Sequence, residues 1–121
     1  MAAREPTMYA EKHYELEDMK AKLMDVFNND MGASVRSRHQ VFWELGETKT
    51  LLLLFDKWYF RLREGSYVTL VILLTEYHGC QGADLIATCG EMGLSSWGVE
   101  EDLAAIGVQV LKALGFAAKN L

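Results

Sequence analysis

The stretch Leu51-Leu52-Leu53-Leu54-Phe55-Asp56-Lys57-Trp58-Tyr59-Phe60 decides how this chain folds. It lies within a segment, 48–62, that is rich in β-formers. A strand sends successive side chains to opposite faces. Leu51, Leu53, Phe55 and Tyr59 then share one face, and Leu52, Leu54, Trp58 and Phe60 share the other. Both faces are apolar, so each needs a cover. The uninterrupted apolar run Leu51–Phe55 is far short of the ~20 residues that span a bilayer.

Working outward, residues 34–45 alternate. Val35, Ser37, His39, Val41, Trp43 and Leu45 fall on one face, and Ser34, Arg36, Arg38, Gln40, Phe42 and Glu44 on the other. This predicts a half-buried strand, closed by a tight turn at Gly46-Glu47. Downstream, Arg63-Glu64-Gly65 predicts a turn into a strand over 66–78. Val68, Leu70, Ile72 and Leu74 form its core face, opposite Tyr67, Thr69, Val71, Leu73, Thr75 and Tyr77. A third turn over Gly79–Gly82 leads to a short strand over 83–89.

Two helices flank these strands. Leu16, Met19, Leu23, Val26 and Phe27 recur at helical spacing within 14–30. Glu15, Glu17 and Asp18 suit its N-terminal dipole, and Asn28, Asn29, Asp30 and Gly32 supply stop chemistry. A closing helix over 98–114 buries Leu103, Ile106, Val110, Leu111 and Leu114. Ser96 or Gly98 caps it, Gly107 lies in its buried stripe, and Gly115 is a natural C′ residue. Short turns force antiparallel neighbours. The expected architecture is α+β: a four-stranded antiparallel meander between an N-terminal and a C-terminal helix (α-β-β-β-β-α), with both helices on one face. Residues 1–13 read as a flexible N-terminal arm, loose unless a partner or the sheet holds it, and 14–121 as a single domain.

Composition limits the function classes. The chain has 121 residues, 50% of them hydrophobic, and a net charge of −5. By segment, residues 1–30 carry 7 acids and 4 bases, residues 31–65 carry 4 and 6, and residues 66–121 carry 6 and 2. The acidic total argues against a broad phosphate-binding surface. No apolar h-region precedes the first helix, and Cys80 and Cys89 read as free thiols, so a cytoplasmic location is expected, with no membrane partner.

The segments Phe55-Asp56-Lys57-Trp58-Tyr59-Phe60, Val68–Leu74, Ala87-Thr88-Cys89-Gly90 and Trp97-Gly98-Val99-Glu100-Glu101 together resemble a family of small α+β proteins from Gram-positive bacteria, known as a domain of unknown function. The resemblance covers residues 14 to 114 and rests on turn glycines and aromatic strand positions. The chain departs from the family pattern in a short loop after the fourth strand and in the Cys80–Gly82 turn. The resemblance implies the fold and transfers no site.

Each constellation that could carry chemistry has a plainer reading. His78-Gly79-Cys80 could activate a thiol. With Cys80 in a turn and Cys89 along the next strand, the thiols stand about 20 Å or more apart, too far for a shared metal or a disulfide. His13 and His39 are remote in sequence. Gly93-Leu94-Ser95-Ser96-Trp97 lacks the second glycine of a nucleophile elbow, and helix capping accounts for its serines. No phosphate-binding glycine motif occurs. Glu100, Glu101 and Asp102 are adjacent, so on a helix they point apart. Arg36, Arg38, Lys57, Arg61 and Arg63 beside strand aromatics could meet single-stranded nucleic acid, but a solvated sheet edge needs fewer assumptions.

No catalytic, metal-binding or cofactor-binding residue is assigned, and no enzyme activity, cofactor or nucleic-acid partner is expected. The strongest signal is the two-sided apolar sheet. A partner subunit, an apolar ligand, strong sheet curvature or the N-terminal arm could cover its second face. The reading is a non-enzymatic interaction or self-association module, chaperone-like in one version. It forms a homodimer or binds a protein partner through Trp43, Trp58, Phe60, Tyr67, Val71, Leu73 and Tyr77. The alternative is an apolar-ligand binder whose pocket lies between sheet and helices, lined by Trp43, Trp58 and Phe60.

Overall fold

The computed structural model describes residues 2–4, 7–11, 14–29, 35–61, 64–89 and 99–118. In chain order they form β1 (Ala2–Arg4), β2 (Met8–Glu11), α1 (Leu16–Asn29), β3 (Val35–Leu45), β4 (Thr48–Arg61), β5 (Glu64–Tyr77), β6 (Cys80–Cys89), α2 (Val99–Ala113) and β7 (Ala117–Ala118). The α+β class, the antiparallel sheet and the two helices agree with the sequence reading.

The strand count and layout do not. The sheet has seven strands in the order β3-β4-β5-β6-β2-β7, with β1 also paired to β6. The expected meander survives as β3 to β6. Two of the added strands come from the segment read as a flexible arm. Ala2–Arg4 pairs with Thr88–Ile86, and Met8–Glu11 pairs with Ala83–Cys80, so β6 has neighbours on both sides. Strands of only three or four residues carry almost no periodicity, so the arm gives no strand signal.

The hairpin turns set the register. Gly46 has φ +59 and comes first of the two turn residues, the glycine placement that a type II′ turn uses. At the β5–β6 corner His78 and Gly79 have φ 50 and 77. Positive φ at both central residues is the pattern of a type I′ turn, whose twist matches the flanking strands. The turn is thus two residues long rather than the expected Gly79–Gly82. Cys80, Gln81 and Gly82 belong to β6, paired with Tyr77, Glu76 and Thr75.

Directly opposed residues of an antiparallel pair share a face. The ladders place Leu51, Leu53 and Phe55 beside Leu74, Ile72 and Leu70, and these beside Ala83, Leu85 and Ala87. All nine are buried. Both helices pack on this side. Phe27 of α1 stacks on Phe55 at 4.5 Å between ring centroids. On α2, a Cβ added at Gly107 would lie 2.4 Å from Leu85 Cδ1 and 3.4 Å from Leu70 Cδ2. The missing side chain therefore lets the helix backbone approach the sheet. Since Phe55 pairs with Leu70, the two helices lie on one face, as the sequence predicted.

The expected stripes do the burying. Leu16, Met19, Leu23 and Phe27 are fully buried on α1, as are Leu103 and Leu111 on α2, while Val26, Ile106 and Leu114 sit at the margins. At the end of α2, Gly115 (φ 99) donates its N–H to the Lys112 carbonyl, and Phe116 N–H reaches the Leu111 carbonyl. These are the two bonds of a Schellman cap. They turn the chain so that Phe116 enters the core and β7 reaches β2.

Polar contacts fix α1 at the hairpin end of the sheet. Gln81, 1% exposed, donates from Nε2 to the Tyr14 carbonyl and to Glu76 Oε1, both at 2.8 Å. Lys49 Nζ lies 3.6 Å from Glu15.

Candidate functional site

The other face of the sheet is built by the same ladders. Leu52 and Leu54 of β4 stand opposite Leu73 and Val71 of β5, which stand opposite Asp84 and Ile86 of β6. On β3, Val41, Trp43 and Leu45 stand opposite Leu52, Thr50 and Thr48. Among the described residues, no helix or strand lies over this face. Leu52, Leu54, Val71, Leu73 and Ile86 are half-buried by their neighbours in the pleat. Trp43 and Trp58 are each 40% exposed, and Leu45 is 72% exposed.

The sequence-predicted residues fall as follows. Trp43, Trp58, Val71, Leu73 and Tyr77 lie on this one face. Tyr67 stands opposite Trp58 and Phe60 opposite Gly65 in the ladder, and their side chains fall outside the described ones. The pocket alternative is corrected in one respect. Trp43 and Trp58, expected to line a space between sheet and helices, lie on the face turned away from the helices. The reason is parity along β4: residues 51, 53 and 55 face the helices, so 52, 54 and 58 cannot.

One face of β3 also needs correction. The alternation from Val35 to Leu45 does not run unbroken, because the register with β4 shifts between Ser37 and His39. Ser37 pairs with Phe55, whereas His39 pairs with Leu54. One extra residue therefore moves the later odd positions onto the open face. Without it, Val41, Trp43 and Leu45 would point toward the helices.

Six further residues of this face lie outside the sequence-predicted set: Leu52, Leu54, Val41, Leu45, Ile86 and Tyr9. Val41 and Leu45 reach it only through the register shift, whereas Leu52, Leu54 and Ile86 were legible as alternating positions. Tyr9 was not, because the segment holding it had not been read as strand; it stands opposite Gly82.

By register the open face holds Arg4, Arg36 and Glu11, whose side chains fall outside the described ones, together with Asp56 and Asp84. Among the described side chains it carries no lysine or arginine. Asp56, 4% exposed, accepts a hydrogen bond from Thr69 Oγ1 at 2.7 Å. Asp84 accepts one from Thr7 Oγ1. The helix side is different: Glu15, Glu17, Asp18, Asp25, Glu101 and Asp102 are all exposed there.

The residues considered for chemistry are dispersed. His78 Nε2 lies 2.9 Å from Glu47 Oε2 across the two hairpin corners, and its ring meets Tyr77 edge-on at 4.0 Å. Cys80 is a free, exposed thiol. Cys80 and Cys89 begin and end β6, nine residues apart and so about 30 Å at the usual strand rise. His39 is exposed on β3, and Glu101 and Asp102 are exposed at the start of α2. His13, Gly90–Gly93 and Ser95-Ser96 lie outside the described residues. Among the described residues no three His, Cys, Asp or Glu side chains group to hold a metal, and no helix is long and apolar enough to cross a membrane.

A scan against protein-family models, a search of curated proteins and a search of solved structures each return no match.

Proposed function

We propose that this protein is a non-enzymatic interaction module whose binding surface is the open face of its sheet. The observation that supports this is the contrast in cover. One face of four long strands carries two helices, and the other presents Leu52, Leu54, Val71, Leu73 and Ile86 framed by Trp43 and Trp58. Contiguous exposed apolar surface beyond a few hundred Å² marks an interaction site on most soluble proteins. Tryptophan and tyrosine at its margin suit a protein partner, since these side chains dominate interface energetics. Two exposed tryptophans on an open sheet face fit a macromolecular surface better than a small-molecule cleft, which would be concave. The resemblance to a domain-of-unknown-function family adds an expectation of fold and none of partner.

The test is site-specific photo-cross-linking in cells. A photoreactive side chain at Leu54, in the centre of the open face, is expected to give protein adducts. The same group at Glu101, exposed on α2, is expected to give few. Equal yields at both sites, or none at Leu54, overturn the proposal.

A further inference from the structure

We infer that the occupant of the open face is a second copy of this chain, packed sheet against sheet. The inference rests on the interaction reading above and names its partner.

Size is the first argument. The strands β3 to β6 hold 11, 14, 14 and 10 residues. At about 3.4 Å per residue and 4.8 Å between strands, they present a face of roughly 800 Å². A stable standard-size interface needs about that much from each partner. The face is also a twisted antiparallel sheet. The surface that fits it over its whole area is another sheet of the same twist, in the aligned packing of β-sandwiches.

Charge is the second argument. A two-fold interface sets a surface against itself, so any strong charge on it meets its own sign. This chain carries a net charge of −5, yet by register the open face sets Arg4 and Arg36 against Asp56, Asp84 and Glu11, so the signs nearly cancel there, and Asp56 and Asp84 each accept a hydrogen bond from a threonine hydroxyl. The exposed acids lie on the helix side instead. Two copies joined through their sheets would form helix, sheet, sheet and helix layers. Their acidic surfaces would then face solvent at opposite ends, where repulsion is screened.

Edge-to-edge pairing through β3 is the competing geometry. It would leave both apolar faces uncovered, so it solves a smaller problem. The bulge between Ser37 and His39 also interrupts that edge, and bulges are a common guard against strand addition.

The experiment is sedimentation velocity on the purified chain across a concentration series, with Leu73→Asp and Ile86→Asp as variants. Leu73 lies on β5 and Ile86 on β6, two and three strands in from the β3 edge. A charge at either blocks sheet-to-sheet packing and spares edge pairing. The expected result is a two-chain species for the parent chain. Each variant that keeps the parent's circular dichroism should weaken association by roughly 100-fold or more. A parent chain that stays monomeric at high micromolar concentration overturns the inference. So does a dimer that both folded variants leave intact. The cross-linking result separates this from the broader reading. Adducts at Leu54 to a different protein would keep an interaction surface and reject the second copy, whereas no adduct rejects both.

Discussion

The two faces of the sheet are made of nearly the same residues and have opposite fates. Toward the helices stand Leu51, Leu53, Phe55, Leu70, Ile72 and Leu74, all at most 1% exposed. Away from them stand Leu52, Leu54, Val71 and Leu73, left half-buried by neighbours in the pleat. Hydrophobicity alone does not tell these sets apart. What separates them is which parity the helices chose, and that follows from α1 reaching Phe55 and from Gly107 letting α2 settle on Leu70 and Leu85. The lesson is that a strand with two apolar faces specifies a fold and, separately, an unmet demand for cover.

The largest expected effect comes from placing the same charge one residue apart. Leu53→Asp buries a carboxylate in the helix-covered core and should abolish folding, since the cost rivals the roughly 5–15 kcal/mol that holds a domain together. Leu54→Asp should leave a folded chain. Circular dichroism at 222 nm and the cooperativity of thermal unfolding read both. If the two variants unfold alike, the faces are not as different as their cover implies.

A smaller contrast uses aromatic truncation. Phe55→Ala removes a ring stacked on Phe27 and should cost about 3–5 kcal/mol in urea unfolding. Trp58→Ala, on the open face, should cost well under half of that when compared at concentrations where the chain is monomeric. Gly107→Val tests the helix approach directly. The new side chain would collide with Leu85, and overpacking of this kind costs about 1–3 kcal/mol, to which valine's poor helix propensity adds little relief over glycine. A Gly107→Val protein as stable as the parent would mean that α2 stands farther from the sheet.

The smallest effect lies at the β5–β6 corner. His78 holds φ 50, and Asn before Gly is the favoured pair for a type I′ turn. His78→Asn should be neutral or raise stability by about 0.5 kcal/mol, because the exposed pair with Glu47 that it removes is worth little. A clear loss would show that the His78–Glu47 contact ties the two hairpins together more firmly than surface pairs usually do.

Much of this was legible in the sequence. The period-2 runs from Thr48 to Leu74 and the helical stripes at Leu16–Phe27 and Leu103–Leu111 carry strong, long patterns, and the structure follows them. Gly115 announced its own cap. Three things were not legible. The strands Ala2–Arg4 and Met8–Glu11 are too short to show a period, and only their partners on β6 make them strands. The bulge at Ser37–His39 is one inserted residue inside an otherwise clean alternation, and it moved Val41, Trp43 and Leu45 to the open face. The identity of the covered face depends on long-range packing, which is why pocket lining stood as the alternative reading of the tryptophans.

The most direct test of the central claim is acrylamide quenching of Trp43 and Trp58 as a function of protein concentration. The measurement uses a Trp97→Phe variant, so that only the two open-face tryptophans among the chain's three remain. If two copies cover each other's open face, quenching falls as concentration rises, and it falls in step with the appearance of the two-chain species. Quenching that stays at its dilute value through the high micromolar range would contradict the account.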